Sequence, residues 1–529
     1  MAALKNYFIA FILSYFVAHG YGQSPGSSLS VTVLDGERNK PTPVRIRITD
    51  SNGHAAGLPA EVISIMYGRD DKPERYGYQP DSSFYADGFF HLELSPGTYH
   101  ILLSKGAEYL DQAHAIDLKE GEKREVNFEM HRWMDMNKLG WYSADDHIHI
   151  RRSPRENPLI LKWVEAEGLN VGVMLQMGDF WTTYFSQYAF GQDGVYKEDM
   201  HMLSTGQEEP RTHEIGHTIA MVADDFVRYR NDYYYYDKVF DKVHELNGIM
   251  GYAHQGMSFN GFRGMTLDVL AGKVDFLELL QFCVDGGPLL VQNYYHFLDL
   301  GYKITATAGS DFPWCGNGPR FGVDGPQWNS RIGNVRFYTY IDGAFEYDSW
   351  KESLSAGHTF VSSGPGLLFD INGKLPGDEI NLSGQGKVTV HAQAFGNRGQ
   401  VPLSKLEIIA HGKVVEEVVS GGNTEMLERM NLDFEMEIDK GMWIAARCYA
   451  GPTQVAHTTP IYVSIDKNGF YNPETLHDYL ALNEKYLQEL EYELEAPNER
   501  VSQRAWWYKK GLKQRIEDTR KIIDALKSK

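Results

Sequence analysis

From Leu29 to about Arg132, apolar and polar residues alternate in short runs between turns. Ser30-Val31-Thr32-Val33 and Val44-Arg45-Ile46-Arg47-Ile48 have the period of two that puts successive side chains on opposite faces of a strand. Ala86 to Leu94 followed by Ser95-Pro96-Gly97-Thr98-Tyr99 reads as turn, strand, turn, strand. The pattern predicts a small β-sandwich over 29–132. From about Gly140 to Gly357 the texture changes. Val171 to Met177 ends at Asp179, Gly248 to Ala253 ends at His254, and Ile304 to Ala308 ends at Gly309-Ser310-Asp311. Between these runs, Pro158 to Gly168, Tyr233 to Leu246 and Leu289 to Leu300 have helical spacing. Such alternation predicts βα units around a parallel sheet or barrel, hence the α/β class. After Gly357 short strands return (Leu367 to Ile371, Val388 to Ala394, Leu406 to Ile409, Trp443 to Tyr449, Ile461 to Ile465), predicting a second β-sandwich over 358–468. Residues 473–529 are charged, with Leu480, Leu487 and Leu490 near helical spacing, and predict a helical hairpin packed on the body without a catalytic role.

The first residues read differently. Lys5 precedes the apolar run Tyr7 to Ala18, too short to span a bilayer comfortably, and Gly20-Tyr21-Gly22 offers cleavage before Gln23. A signal peptide over 1–22 is expected, with an N-terminal anchor helix as the alternative, and residues 24–28 form a linker. The mature protein is then exported to a periplasmic or extracellular space, soluble and not inserted in a membrane. At 529 residues two to four domains are expected. Cys283, Cys315 and Cys448 are too few and too far apart to form a disulfide framework, so stability must come from burial. A net charge of −20, spread along the chain, argues against nucleic acid as a partner. A phosphorylated substrate stays open, because bound divalent ions reverse the local field.

The chemistry concentrates where the predicted strands stop, which in α/β barrels is where functional groups gather. In Ser143 to Ile150, positions two apart on a strand share a face, so Asp145, His147 and His149 point one way while Ile148 and Ile150 point into packing. Two such imidazoles can hold one metal ion, although an isolated pair of histidines is more often structural. Glu208 follows Thr205-Gly206-Gln207 in a predicted loop, and a carboxylate there can bridge two ions. His217 opens the apolar run Thr218 to Val222, His254 closes Gly251-Tyr252-Ala253, and Asp311 follows Gly309-Ser310. Singly these read as a surface Glu, satisfied histidines and a capping Asp. Together, imidazoles mixed with carboxylates suit Zn²⁺, Mn²⁺ or Fe and not Ca²⁺.

In this order the D-x-H-x-H at Asp145 to His149, the G-x-E at Gly206 to Glu208, Gly216-His217, Tyr252-Ala253-His254 and Ala308-Gly309-Ser310-Asp311 resemble the metal motifs of the polymerase and histidinol phosphatase (PHP) superfamily. Gly140-Trp141-Tyr142-Ser143, Tyr302 to Phe312 and Gly357 to Pro365 resemble its CehA/McbA-like metallohydrolase branch, so that the likeness spans roughly residues 140–465. The N-terminal domain resembles the prealbumin-like, carboxypeptidase-regulatory type of accessory domain. The main resemblance implies a distorted (β/α)₇ barrel over 140–357 and hydrolysis of a phosphoester, carboxylester or carbamate by water activated at metal ions. It further implies that His147, His149, Glu208 and Asp311 hold one divalent transition-metal ion and Glu208, His217 and His254 a second, with Asp311, His254 and Glu208 closest to the reaction. Asp145, Asp179 and Glu278 are expected to steady these ligands. Fuller members of the superfamily carry histidines where Gly178-Asp179-Phe180 and Pro313 stand here, and one soon after His149. Their absence leaves two metal sites instead of three.

Softer candidates surround this set. Arg320 and Arg331, in the loop after Asp311, are candidates for an anionic substrate group. His457, in Ala456-His457-Thr458, resembles a recurring element of the family and is a candidate for reaching the site. Trp181, Tyr184, Phe185, Tyr188 and Tyr233 to Tyr236 are dense aromatics near the predicted mouth, available either for stacking on a sugar or aromatic ring or for core packing. A small-molecule or glycan-derived ester is the expected partner.

Two rival readings remain. The β-sandwiches and aromatics also suit a carbohydrate-binding or adhesion protein whose barrel has lost activity. His213-Glu214-Ile215-Gly216-His217 is a literal HExxH, the helical signature of zinc proteases. Ala220 and Ala223 break the metzincin extension, leaving Glu245 as a possible third ligand, and Gly216 with the apolar run after it favours a strand. Single substitutions separate the enzymes. Glu214→Ala abolishes turnover in a protease and is mild in a PHP-like site, whereas His147→Ala does the reverse; assay of both variants alongside their metal content is the check.

Overall fold

A computed structural model describes residues 26–66, 75, 76, 79, 81–179, 182–256, 260–281, 289–313, 331–495 and 505–528. The expected signal peptide, Trp181, Arg320, Cys283 and Cys315 lie outside these residues. Cys448 is a buried free thiol. No helix among the described residues is long and apolar enough to cross a membrane.

The N-terminal segment forms two facing sheets. Ser27–Asp35 lies between Lys123–Met130 and Phe89–Leu94, while Pro43–Asp50 and Gly97–Ser104 sit between Phe84–Asp87 and Gln112–Leu118. The alternation works as expected. Val31, Val33, Val44, Ile46, Ile48, Ile101 and Leu103 are buried between the sheets.

Seven strands then follow: β1 (Trp141–Ile148), β2 (Val171–Gly178), β3 (His201–Thr212), β4 (Gly216–Met221), β5 (Ile249–Tyr252), β6 (Phe276–Leu280) and β7 (Thr305–Ala308). They pair in that order. The sheet curls until Phe312, just past β7, forms a parallel bridge with Ile148 of β1. His149 N–H donates to Phe312 O at 2.7 Å and Phe312 N–H to His147 O at 3.2 Å. The sheet is therefore mixed: β4 is antiparallel to both neighbours. Helices α1 (Asn157–Ala166), α2 (Tyr236–Glu245), α3 (Gly261–Leu270) and α4 (Gln292–Asp299) fill four of the connections. Between β2 and β3 the described residues hold only a single 3-10 turn, Gly191–Gly194, and no α-helix, and β3 turns straight into β4. The strict βα alternation is thus incomplete: β3 and β4 are antiparallel and need only a hairpin, while the parallel crossover from β2 to β3 is made without an α-helix. Glu208, expected in a loop, sits within β3, in register with Met177 of β2 and Ile219 of β4.

The sheet continues past the expected boundary at residue 357. Arg336–Tyr340 pairs antiparallel with β1, Thr359–Ser362 with Arg336–Tyr340, and Gln454–Thr458 with Thr359–Ser362. Met442–Ala450 and Leu403–Ala410 follow, and a three-stranded sheet of Gly366–Ile371, Gly386–Phe395 and Arg429–Ile438 stands apart. Leu367, Phe369, Val390, Leu406, Ile408 and Ile444 share one core with these strands. The C-terminal helices Leu476–Glu495 and Ala505–Lys527 pair with one another and lie on α3, with Leu480, Leu487 and Leu490 buried.

Asp299, at the end of α4, ties these layers together. Its carboxylate accepts hydrogen bonds from His411 Nδ1 (3.1 Å), Trp443 Nε1 (2.7 Å), Asn472 Nδ2 (3.0 Å) and Thr475 Oγ1 (2.8 Å). Burial pushes its acidity constant up, but these donors outweigh it and hold the carboxyl below its ordinary 3.8. A carboxylate depressed on folding stabilises above its unfolded value, and the effect is lost as pH falls through the folded one. Asp299→Ala leaves four donors unmatched, so urea unfolding at neutral pH is expected to show a loss of about 3 kcal/mol. The gap between wild type and variant should narrow below pH 4.

Candidate metal centre

All six residues expected as ligands converge at one rim of the curled sheet. Parallel strands deliver groups at their C-terminal ends: His147 lies at the end of β1 and His149 just past it, His254 follows β5 and Asp311 follows β7. The reversal of β4 brings His217, near its start, to the same rim opposite Arg211. Glu208 reaches it from β3, just before a register shift between Glu208 and Arg211 bends the strand pair. His254 and Asp311 both adopt left-handed backbone conformations, φ 56° and 52°. Residues other than glycine seldom adopt these, and such strain clusters at functional sites. Gly309 is required by space: a Cβ there would stand 2.4 Å from His147 Cβ and 2.6 Å from His147 N.

The distances resolve two groups. His147 Nε2 lies 3.2 Å from His149 Nε2 and 3.3 Å from Asp311 Oδ1. His149 Nε2 lies 3.4 Å from both Asp311 Oδ1 and Glu208 Oε2. Donors about 2.1 Å from a tetrahedrally coordinated ion stand about 3.4 Å apart, so these edges match the ligand shell of one transition-metal ion. Glu208 turns its other oxygen to the second group: Oε1 is 2.7 Å from His217 Nδ1 and 3.8 Å from His254 Nε2. This second triad is less regular. His254 also lies within ligand spacing of His147 and Asp311, so it stands between the two groups. The buried His, Glu and Asp donors are thus able to hold metal ions, with Glu208 shared.

Supporting carboxylates fix the donors. Glu278 of β6 sits 2.9 Å from His147 Nδ1 through one oxygen, turning Nε2 inward, and accepts His254 N–H at 2.8 Å through the other. Orientation of a ligand imidazole from its far nitrogen is what a metal site requires. Asp145, expected beside the ring, instead accepts the backbone N–H groups of His147 (3.0 Å), Ser310 (3.0 Å) and Gly333 (2.8 Å), so it braces the chain around the site. The register shift between Asp145 and Ile148 breaks the simple alternation behind that expectation. Asp179 accepts Thr182 N–H at 3.0 Å and joins none of the donor groups.

Burial lowers His149 and His254, but carboxylates outweigh it. Asp311 and Glu208 raise His149 to about 9, and Glu208, Asp311 and Glu278 raise His254 to about 10. Burial and then Arg211 lower His217 to about 3. Burial alone would raise Glu208 and Asp311; the cations around them hold both well below the carboxylate range.

Three further residues shape the rim. Arg211 Nε lies 3.7 Å from Glu208 Oε2, and its side chain is 24% exposed. Gln281, at the end of β6, donates to Asp311 Oδ2 at 3.2 Å. Phe185, left-handed at φ 55°, packs its ring 5.3 Å from that of His149. Gln281 obeys the strand-end pattern that singled out His254 and was legible by it; Arg211 has no comparable signal.

Other candidates are placed elsewhere. Arg331 pairs with Glu167 at 3.3 Å, at the junction with the N-terminal domain, where Glu167 also binds Arg45 (3.0 Å) and Tyr85 (2.6 Å). His457 is fully buried, accepting from Tyr295 OH at 2.7 Å between Tyr294, Tyr295 and the C-terminal sheet; the strand that carries it pairs with Thr359–Ser362 rather than with the rim. Tyr233, Tyr234 and Tyr236 are core residues, while Tyr184 and Tyr188 stay partly exposed. The HExxH stretch is not helical. His213 and Glu214 occupy the turn between β3 and β4, so His213 and His217 lack the shared helix face of a zinc protease.

No protein-family model matches the chain, and no curated protein matches it. Among solved structures, fibronectin(III)-like modules of Clostridium thermocellum CbhA align at 11% identity over 19% of this chain and 96% of theirs, with a TM-score of 0.13. A glycosyl hydrolase family 2 member from Bacteroides cellulosilyticus aligns at 10% identity over 79% of this chain and 59% of its own, with a TM-score of 0.16. Likenesses this faint carry no argument about fold or function.

Two outcomes follow from the site. Glu278→Ala should weaken metal affinity about 10- to 100-fold with both imidazole-carboxylate groups otherwise complete, read by competitive chelator titration. In the metal-free protein the raised imidazoles of His149 and His254 are protonated at neutral pH. Metal binding must therefore release protons, and affinity should rise with pH through 9 to 10, measurable by calorimetry in buffers of differing ionisation enthalpy.

Proposed function

We propose that this protein is an exported, metal-dependent hydrolase of ester-type bonds, built on a PHP-type barrel of the CehA/McbA-like kind. The observation that carries the reading is the donor geometry around Glu208: His147, His149 and Asp311 stand 3.2 to 3.4 Å apart as one ion's ligands, Glu208 Oε2 is 3.4 Å from His149, and its other oxygen turns to His217 and His254. The seven-strand curl closed at Ile148 and Phe312 supports the barrel, and the apolar run after Lys5 supports export.

His147, His149, Asp311 and Glu208 Oε2 would hold one ion, and Glu208 Oε1, His217 and His254 the other, as Zn²⁺, Mn²⁺ or Fe. Divalent ions so placed lower the pKa of water towards about 7 and polarise the substrate oxygen. The chain's own groups do the rest. Asp311 directs Oδ1 at the two imidazoles while Gln281 donates to Oδ2, so the carboxylate is held fixed beside the site. Arg211, half-open at the mouth and 3.7 Å from the nearest carboxylate oxygen, orients an anionic group on the substrate. Phe185 shields His149 from water. No serine or cysteine nucleophile is required.

The protease reading loses its footing in the turn at His213 and Glu214, and the buried tyrosines of 233–236 remove part of the surface that favoured a sugar-binding module. Metal-loaded protein should turn over one of three generic substrates (a phosphomonoester, a phosphodiester or a carboxylester) and lose that activity to a chelator. His149→Ala and Asp311→Asn should each lower kcat/KM by about 100-fold or more. Protein purified without stoichiometric transition metal, and inert to all three substrates after metal addition, overturns the proposal.

A further inference from the structure

The C-terminal helical pair has so far no part in the chemistry, yet its second helix carries a buried charge. Arg515, on the helix Ala505–Lys527, has a side chain 7% exposed and pairs with Asp268 of α3, which is 0% exposed. Its second nitrogen, Nη1, donates to Tyr234 O at 2.9 Å. Asp268 uses its other oxygen to accept Tyr252 OH at 2.7 Å. Tyr252 is the last residue of β5, two before His254.

A parallel route leads to His217. The Arg515 guanidinium lies over the Tyr236 ring at 5.9 Å, and Tyr236 OH donates to Gly216 O at 2.8 Å, the residue before His217. Helix α3 presses on both routes. A Cβ at Gly216, whose φ is +91°, would lie 2.4 Å from Gly261 Cα, and one at Gly264 would lie 2.4 Å from Tyr252 OH and 2.0 Å from Ile215 O. Helix α3 is thus packed tightly on the backbone just before His217 and on the hydroxyl of Tyr252, two residues before His254.

A buried ion pair is weak evidence for stability, since its desolvation offsets its attraction, whereas its directional bonds fix one arrangement over near alternatives. Here the fixed arrangement is that of the less regular donor group. We infer that the C-terminal helical pair is a positioning element for the second metal group, acting through Arg515, Asp268 and Tyr252 on His254 and through Tyr236 on His217. The inference rests on the metal reading proposed above.

The full chain, stripped with a chelator and titrated with Zn²⁺ and separately with Mn²⁺, tests it by metal-to-protein ratio and affinity. Wild type should take two ions. Tyr252→Phe, which removes one hydroxyl and keeps the ring, should weaken the second ion about 10- to 100-fold and leave the first unchanged. Arg515→Met should do the same, with partial rescue in Arg515→Lys, which keeps the charge without the forked geometry. If Arg515→Met fails to fold, Tyr252→Phe and Arg515→Lys carry the comparison. Tyr85→Phe removes an equally buried hydroxyl-carboxylate bond outside this network, to Glu167, and should keep both ions. Folded Tyr252→Phe and Arg515→Lys proteins that bind both ions like wild type overturn this inference alone. A wild type that binds no ion overturns the metal reading and the inference with it.

Discussion

The arrangement depends on one carboxylate facing two ways. Glu208 is 2% exposed, and its two oxygens address separate imidazole groups. Gathering four histidines and two acids in a dry rim is unfavourable unless their charges and lone pairs are answered. The answer lies partly within the set, where cationic neighbours keep Glu208 and Asp311 ionised and these acids in turn keep protons on His149 and His254. Divalent ions answer the same demand more completely, because every donor keeps its orientation while the protons leave.

The net negative charge of the chain takes on meaning at this level. Several buried acids are spent on fixing backbone and rings. Asp145 holds three backbone N–H groups around the site, Glu278 holds one imidazole and the backbone of another donor, Asp299 joins α4 to the C-terminal sheet, and Asp268 joins α3 to the last helix. Each is buried among donors that repay part of its desolvation. Two of them act at the rim itself: Asp145 accepts the N–H of Ser310, next to Asp311, and Glu278 accepts that of His254, which helps keep these two ligands in left-handed backbone conformations.

Much of this was legible in the sequence because strand ends announce themselves. An apolar run that stops at His254 or at Gly309-Ser310-Asp311 marks both a buried strand and the polar group at its tip, and the period of two marked His147 and His149 as neighbours. Glu208 was misplaced in a loop because Gly206 just before it is of a kind that ordinarily weakens or interrupts strands. Arg211 left no trace, since only the pairing of β3 with β4 sets it opposite His217. Asp145 and Glu278 were both expected to steady the ligands; Glu278 does so at an imidazole, whereas Asp145 braces backbone instead, because the register shift after it changes where its side chain goes. Arg331 and His457 carried suitable chemistry, but their partners, Glu167 and Tyr295, are far along the chain.

By itself, then, the sequence determined the kinds of donor, the strands that carry most of them and the succession of sheet-rich and helical segments, because these follow from local periodicity and from which residues can end a buried run. Which donors share an ion, which way β4 runs, which acid steadies which ring and what the last helix touches were decided only in three dimensions. Those facts depend on pairings between residues tens to hundreds of positions apart, and no local pattern encodes the register at which distant strands meet.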